Sequence, residues 1–158
     1  MAIIDESYYD NTSYFDDLSK KLDNLEHPLQ SFRIKTLLSL YTPRKSEKVL
    51  DLGCGWGTFS FVLAPRVKSV TGLDFSKKSI EICNTKLRKT KLKNVRFIRA
   101  DAQNTGLAAR SFDYIIGADL FEHLYPQQSV NVIKECMRLL KSGGRLVIWT
   151  PHRGHFIE

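Results

Sequence analysis

The stretch Val49-Leu50-Asp51-Leu52-Gly53-Cys54-Gly55-Trp56-Gly57 carries glycine at every second position directly after an apolar run. Glycine lets a chain turn sharply out of a strand and lets a ligand approach the backbone with no Cβ in the way. The spacing is G-x-G-x-G, tighter than the G-x-G-x-x-G loop that seats a pyrophosphate on a helix N-terminus. Two acids follow at further strand ends. Asp74 closes Val70-Thr71-Gly72-Leu73-Asp74, where a carboxylate accepts two hydrogen bonds and suits the paired hydroxyls of a ribose. Asp101 closes Arg99-Ala100-Asp101, within reach of a base edge. Either acid alone also reads as a turn or N-cap residue; three strand-end signals in order point to one ligand crevice. A fourth cluster, Asp119-Leu120-Phe121-Glu122-His123, offers two carboxylates and an imidazole. Glu122 or His123 reads as a general base for a hydroxyl or acidic carbon. The three together also suit Mg²⁺, Mn²⁺ or Zn²⁺, or simple loop-to-helix hydrogen bonds.

These residues meet only if a scaffold brings the strand ends together. Short β-branched runs predict strands over 48–52, 69–73, 95–99, 114–117 and 145–150. Helical patterns lie between them, over 58–64, 76–92 and 127–141. Ser76 is the N-cap of the second, and Ile80, Cys83 and Leu87 are its apolar positions. In the third, Val130, Ile133, Met137 and Leu140 share one face before Ser142-Gly143-Gly144 ends it. The fold class is therefore α/β: a Rossmann-like, doubly wound, mostly parallel sheet of about five strands with helices on both faces. Residues 1–47 differ in character. Tyr8, Tyr9, Tyr14 and Phe15 sit among acids and amides, then 28–41 shows helical periodicity through Leu29, Phe32, Leu37 and Leu40. That segment reads either as a lid over a small-molecule site or as structural cover, with the ligand-binding domain spanning 48–158.

Composition narrows the classes further. At 158 residues, 42% hydrophobic and 26% charged, the chain has the makings of one domain with a proper core, not of a disordered or collagen-like protein. No apolar run approaches the ~18–20 residues of a membrane span. The acidic start Met1-Ala2-Ile3-Ile4-Asp5-Glu6 lacks a basic, apolar signal pattern. Three cysteines, Cys54, Cys83 and Cys136, show no CxxC or zinc-like spacing and read as reduced thiols, so the expected location is cytoplasmic. The net charge of +7 is uneven, −5 over residues 1–30 and +12 over the remainder. Its densest run is Lys86, Arg88, Lys89, Lys91, Lys93, Arg96 and Arg99. That run suits nucleic acid, anionic lipid or an acidic substrate, or is a solvated helix end complementing the helix dipole.

In combination the motifs resemble the class I S-adenosylmethionine-dependent methyltransferases over about residues 46–150. The resemblance implies that Asp51, Gly53, Gly55 and Gly57 cradle the methionine end of S-adenosylmethionine, with Asp119 beside it. It implies that Asp74 holds the ribose hydroxyls with Phe75 against the adenine, and that Asp101 and the Ala102 backbone read the adenine edge. Residues 111–116 and 140–146 are similar to the same family. DNA-methylating members of this fold carry an Asn-Pro-Pro-Tyr-like motif after strand four. This chain has Glu122-His123 there, which resembles small-molecule and lipid enzymes, including those of quinone biosynthesis. The implied activity is methyl transfer to oxygen or carbon of a small-molecule acceptor, with His123 or Glu122 as base and no nucleic-acid partner. Asp119-x-x-Glu122-His123 also resembles the E-x-x-E-H pattern by which some O-methyltransferases hold a divalent cation, with His152 or His155 to complete it. Asp in place of the first Glu shortens that ligand by one methylene. Gly53 to Gly57 together with Phe121-Glu122-His123 is similar to cyclopropane-fatty-acid synthases, so a lipid-modifying enzyme stands as an alternative. A cofactor-binding module without catalysis is a third. The family's sheet has two strands beyond the fifth, so strands six and seven are expected to be absent. Strand five then offers an unpaired edge that invites a homodimer.

Overall fold

Five parallel strands form one sheet in the order β3-β2-β1-β4-β5. They are β1 (Lys48–Leu52), β2 (Ser69–Asp74), β3 (Val95–Arg99), β4 (Phe112–Ala118) and β5 (Leu140–Trp149). The computed structural model describes residues 24–150; Tyr8, Tyr9, Tyr14, Phe15, His152 and His155 lie outside the described residues. Among the described residues the helices are α1 (Pro28–Leu40), α2 (Thr58–Leu63), α3 (Lys77–Arg88) and α4 (Pro126–Leu139). Short 3₁₀ turns follow at Ala64–Arg66 and Phe121–His123.

A parallel sheet covered on both faces needs strands that are apolar on both. Val49 and Ile116 pack with Leu37 of α1 and Tyr41 just after it, Phe59 and Leu63 of α2, and Ile80 and Cys83 of α3. Their strand neighbours Leu50, Leu52 and Ile115 pack on the other face with Val132, Cys136 and Leu139 of α4. The expected doubly wound α/β architecture is therefore present. Ser76 caps α3 as expected, its Oγ accepting from Ser79 N–H at 3.2 Å. The helix stops at Arg88, which leaves Lys89, Lys91 and Lys93 on the loop into β3 rather than on the helix. No helix among the described residues is long and apolar enough to cross a membrane.

Three expectations are corrected. The stripe Val130, Ile133 and Met137 is exposed, Met137 by 66%, and α4 turns Val132, Glu135, Cys136 and Leu139 inward. Both stripes have helical spacing, and the choice falls to a polar anchor. The Glu135 carboxylate accepts from Thr105 N–H (3.0 Å) and Thr105 Oγ (2.6 Å), and Arg138 Nε donates to it at 2.7 Å. In α1 the same ambiguity resolves the same way. Leu29, Phe32 and Leu40 are exposed, while Gln30 and Leu37 are buried. Third, α4 ends at Leu139 and β5 begins at Leu140, so Ser142-Gly143-Gly144 is an irregular start of the strand, not a separate turn. The register slips between the Phe112–Leu140 and Tyr114–Arg145 pairs.

Arg138 and Thr105 hold the Glu135 carboxyl down to about 2 from an ordinary 4.5. A depressed carboxyl stabilises the fold above its unfolded value and loses that contribution as pH falls from 4.5 toward 2. Glu135→Gln is therefore expected to lower the melting temperature at neutral pH by roughly 4–8 °C, from a loss of about 2 kcal/mol. Only below about pH 2 should the variant and the parent converge in thermal melts.

Candidate active site

Parallel pairing puts the carboxyl ends of all five strands on one side, where open α/β sheets bind ligands. Leaving β1, the chain turns back at once: Gly53 and Cys54 N–H both donate to the Leu73 carbonyl of β2, at 2.8 and 2.9 Å. Gly55 and Gly57 sit at φ +49° and +81°, the left-handed region that favours glycine. A Cβ on Gly57 would lie 3.0 Å from Phe61 and Phe97 and 3.1 Å from the Cys83 sulfur. A Cβ on Gly55 would meet nothing within 4 Å. The loop is thus packed beneath Gly57 and open at Gly55. Gly57→Ala is expected to cost about 2 kcal/mol through left-handed strain and overpacking, read as a roughly 4–8 °C fall in melting temperature.

The acids expected at the strand ends occupy this side of the sheet, in unlike environments. Asp51 is 1% exposed, and its Oδ2 accepts from Ser60 Oγ at 2.6 Å. Burial pushes its carboxyl up to about 6 from 3.8, against the hydrogen bonds from Ser60. Asp74 is buried as well, and burial raises it too. Its two oxygens accept from Gly55 N–H at 2.8 Å and Ser76 N–H at 2.9 Å. One carboxylate therefore fixes both the glycine loop and the start of α3. Phe75, beside it, is exposed at the rim. Asp101 is exposed and accepts from Gln103 N–H at 2.8 Å in a local turn, and the neighbouring Ala102 packs partly against the α4-side core.

Asp119 sits just past β4 at φ +55°, with its N–H donating to the Trp149 carbonyl at 2.9 Å. Its carboxylate forms an ion pair with Arg33 of α1. Burial raises the Asp119 carboxyl, and the Arg33 charge opposes that rise. The sequence reading missed Arg33. Its guanidinium stands 5.1 Å from the Phe59 ring centroid and 5.9 Å from that of Trp149. It donates to Gln30 Oε1 at 2.6 Å, and Gln30 Nε2 reaches Thr58 Oγ1, just after the glycine loop, at 3.2 Å. The spacing of Gln30, Leu37 and Tyr41 carried the signal, a second stripe whose polar end faces the site.

Glu122 and His123 lie on the 3₁₀ turn beyond Asp119. The Thr150 hydroxyl donates to Glu122 Oε2 at 3.0 Å, and His123 is exposed. Among the described residues no group of three or more His, Cys, Asp or Glu is arranged to hold a metal ion, and the carboxylate of Asp119 is engaged by Arg33.

Residues 49–144 match the family described as a methyltransferase domain. The chain is 38% identical over 142 residues to a demethylmenaquinone methyltransferase of Thermotoga maritima, covering 85% of this chain and 58% of that protein. It is 30% identical over 143 residues to the aklanonic acid methyltransferase DauC of a Streptomyces species, covering 89% and 64%. Among solved structures, the PH0226 protein of Pyrococcus horikoshii matches at 30% identity with a TM-score of 0.75, over 91% of this chain and 64% of that one. The chain thus spans less than two thirds of the length of these relatives.

Proposed function

The chain belongs to the class I S-adenosylmethionine-dependent methyltransferases, and from that premise we propose that it methylates an oxygen or carbon of a small-molecule acceptor. The observation that carries this reading is the glycine loop. It is braced underneath at Gly57, open above Gly55, and flanked by the buried carboxylates Asp51 and Asp74. Buried carboxylates are costly unless something uses them. S-adenosylmethionine matches this donor set with a carboxylate, an ammonium, a ribose diol and a base.

When bound, that cofactor supplies an electrophilic methyl group on a sulfonium. The residues then divide the work. Gly53, Gly55 and Gly57 give backbone access to its amino-acid end, beside Asp51. Arg33 offers a guanidinium to the carboxylate, and Asp119 offers a carboxylate to the ammonium. Asp74 accepts from the ribose hydroxyls, with Phe75 against the adenine and Asp101 and the Ala102 backbone at its edge. Alignment of donor and acceptor can be worth ~7–11 kcal/mol. A ring nitrogen of His123, or the Glu122 carboxylate, takes the proton that an acceptor hydroxyl or acidic carbon releases. Methyl transfer to a quinol-like or polyketide-like hydroxyl or ring carbon agrees with the names of the relatives. A second copy paired along the β5 edge is part of the same proposal; a constant monomer mass in sedimentation equilibrium over a wide concentration range would overturn it.

Calorimetry with S-adenosylmethionine and S-adenosylhomocysteine tests the binding claim, and silence at millimolar cofactor sinks it. Turnover to S-adenosylhomocysteine with a panel of phenols and quinols tests catalysis. A chelator of divalent ions should leave that turnover unchanged, because Asp119 faces Arg33; loss of activity would restore the metal reading.

A further inference from the structure

The parallel sheet also gathers the amino ends of its strands, on the side away from the glycine loop. Three loops meet there: 41–47, 64–68 and 89–94. Asn94 Nδ2 donates to the carbonyls of Ala64 (2.8 Å), Val67 (3.2 Å) and Lys68 (3.4 Å), locking the second loop to the third. Lys68 N–H donates to the Glu47 carbonyl at 2.9 Å, and Lys45 Nζ to the Pro65 carbonyl at 2.5 Å, locking the first to the second. The three loops thus form one surface.

Its charge has one sign. The first loop exposes Arg44 and Lys45, the second Arg66 and Lys68, the third Lys89, Lys91 and Lys93. The one carboxylate on these loops, Glu47, is turned to accept from Tyr41 Oη and Arg44 N–H, both at 2.8 Å. Several of these cations lie in the basic run that the cofactor site left unused.

We propose that this face docks the chain on an anionic lipid surface. Lysine dominates it, and a compact hydrated ammonium suits a diffuse surface potential better than it suits directional readout. The Arg66 guanidinium, exposed as it is, donates back to the Val62 carbonyl four residues earlier. No exposed aromatic side chain stands on the three loops to stack a base, as single-stranded nucleic acid requires. Leu40, which ends α1 beside the first loop, is 53% exposed and gives one apolar contact next to the charges. Docked this way, the chain keeps its cofactor crevice open on the opposite side, so lipid binding and cofactor binding are independent.

The test is co-sedimentation of the intact protein with vesicles of phosphatidylcholine alone and with about 30 mol% phosphatidylglycerol, an anionic surface of the kind that attracts basic clusters. Binding is expected to the anionic vesicles only, and to weaken as salt rises from about 0.05 to about 0.5 M. The triple variant K89E/K91E/K93E should lose about 100-fold in vesicle affinity. R44E/K68E, on the other two loops, should lose about 10-fold or more. Both variants should keep the parent's circular dichroism melt and its affinity for S-adenosylmethionine. Equal binding to neutral vesicles, or no binding to anionic ones, overturns the proposal. So does full vesicle affinity in either folded variant, or tighter salt-sensitive binding to RNA than to anionic vesicles.

Discussion

Asp74→Asn is expected to weaken S-adenosylmethionine binding by about 100-fold while leaving the protein folded. The Asp74 carboxylate faces N–H donors on both oxygens, among them Gly55 on one and Ser76 on the other. An asparagine amide has one oxygen and one NH₂ group, so whichever way it turns, a donor faces a donor. If the amide oxygen keeps Ser76, the NH₂ group pushes Gly55 away and the open loop loses its shape. If it keeps Gly55, the start of α3 is unbraced. Either way the acceptor proposed for the ribose hydroxyls is gone. The fold itself should tolerate the change, because burial raises the carboxyl of Asp74 and the neutral amide relieves that cost. Calorimetry of the folded variant decides it: a dissociation constant within about threefold of the parent would remove Asp74 from the cofactor site.

Asp51→Asn should do something less usual, strengthening the fold while weakening the ligand. Burial puts the Asp51 carboxyl at about 6 in the folded state, against 3.8 for an ordinary one. A carboxyl raised by folding contributes stability that is full below pH 3.8 and lost as pH rises through about 6. At about pH 7.5 the parent has lost it all, a cost of at most ~3 kcal/mol. Asparagine carries no charge to desolvate, and its amide oxygen still accepts from Ser60. The expected result is a melting temperature higher by roughly 3–6 °C at about pH 7.5, with the gain gone below about pH 4. Affinity for S-adenosylmethionine should fall at least tenfold in the same variant. A variant less stable than the parent at about pH 7.5 would show that the Asp51 charge is held by more than Ser60.

The strand ends were the legible part of this molecule. A run such as Val49 to Leu52, followed by Gly53, states its own conformation, because glycine at a left-handed position and a short, mostly apolar run that it ends are local demands. Asp74 and Asp101 could be assigned to strand ends for the same reason. Helix facing was not legible. In α4 the stripes Val130–Ile133–Met137 and Val132–Cys136–Leu139 have the same period, and what separates them is Glu135 reaching Thr105, thirty residues away in sequence. In α1 the more apolar stripe lies outside, and the inner one begins with Gln30 because Thr58 and Arg33 satisfy its amide. Arg33 stayed hidden for that reason: its partner Asp119 is 86 residues on, and only the finished sheet brings them together.

The Arg33–Asp119 pair bears on how affinity responds to ionic strength. A zwitterionic amino-acid group brings one charge of each sign to a site that already holds one of each. In the proposed site its carboxylate would take over the guanidinium and its ammonium the aspartate, the internal pair opening as two external pairs close. Net charge in the crevice is unchanged by that exchange, so few counterions move. Affinity for S-adenosylhomocysteine, which lacks the sulfonium charge, should therefore be nearly flat across the range of salt that strips a screened, one-signed surface contact. On one small protein, one end of the sheet would let go of its ligand as salt rises while the other holds on.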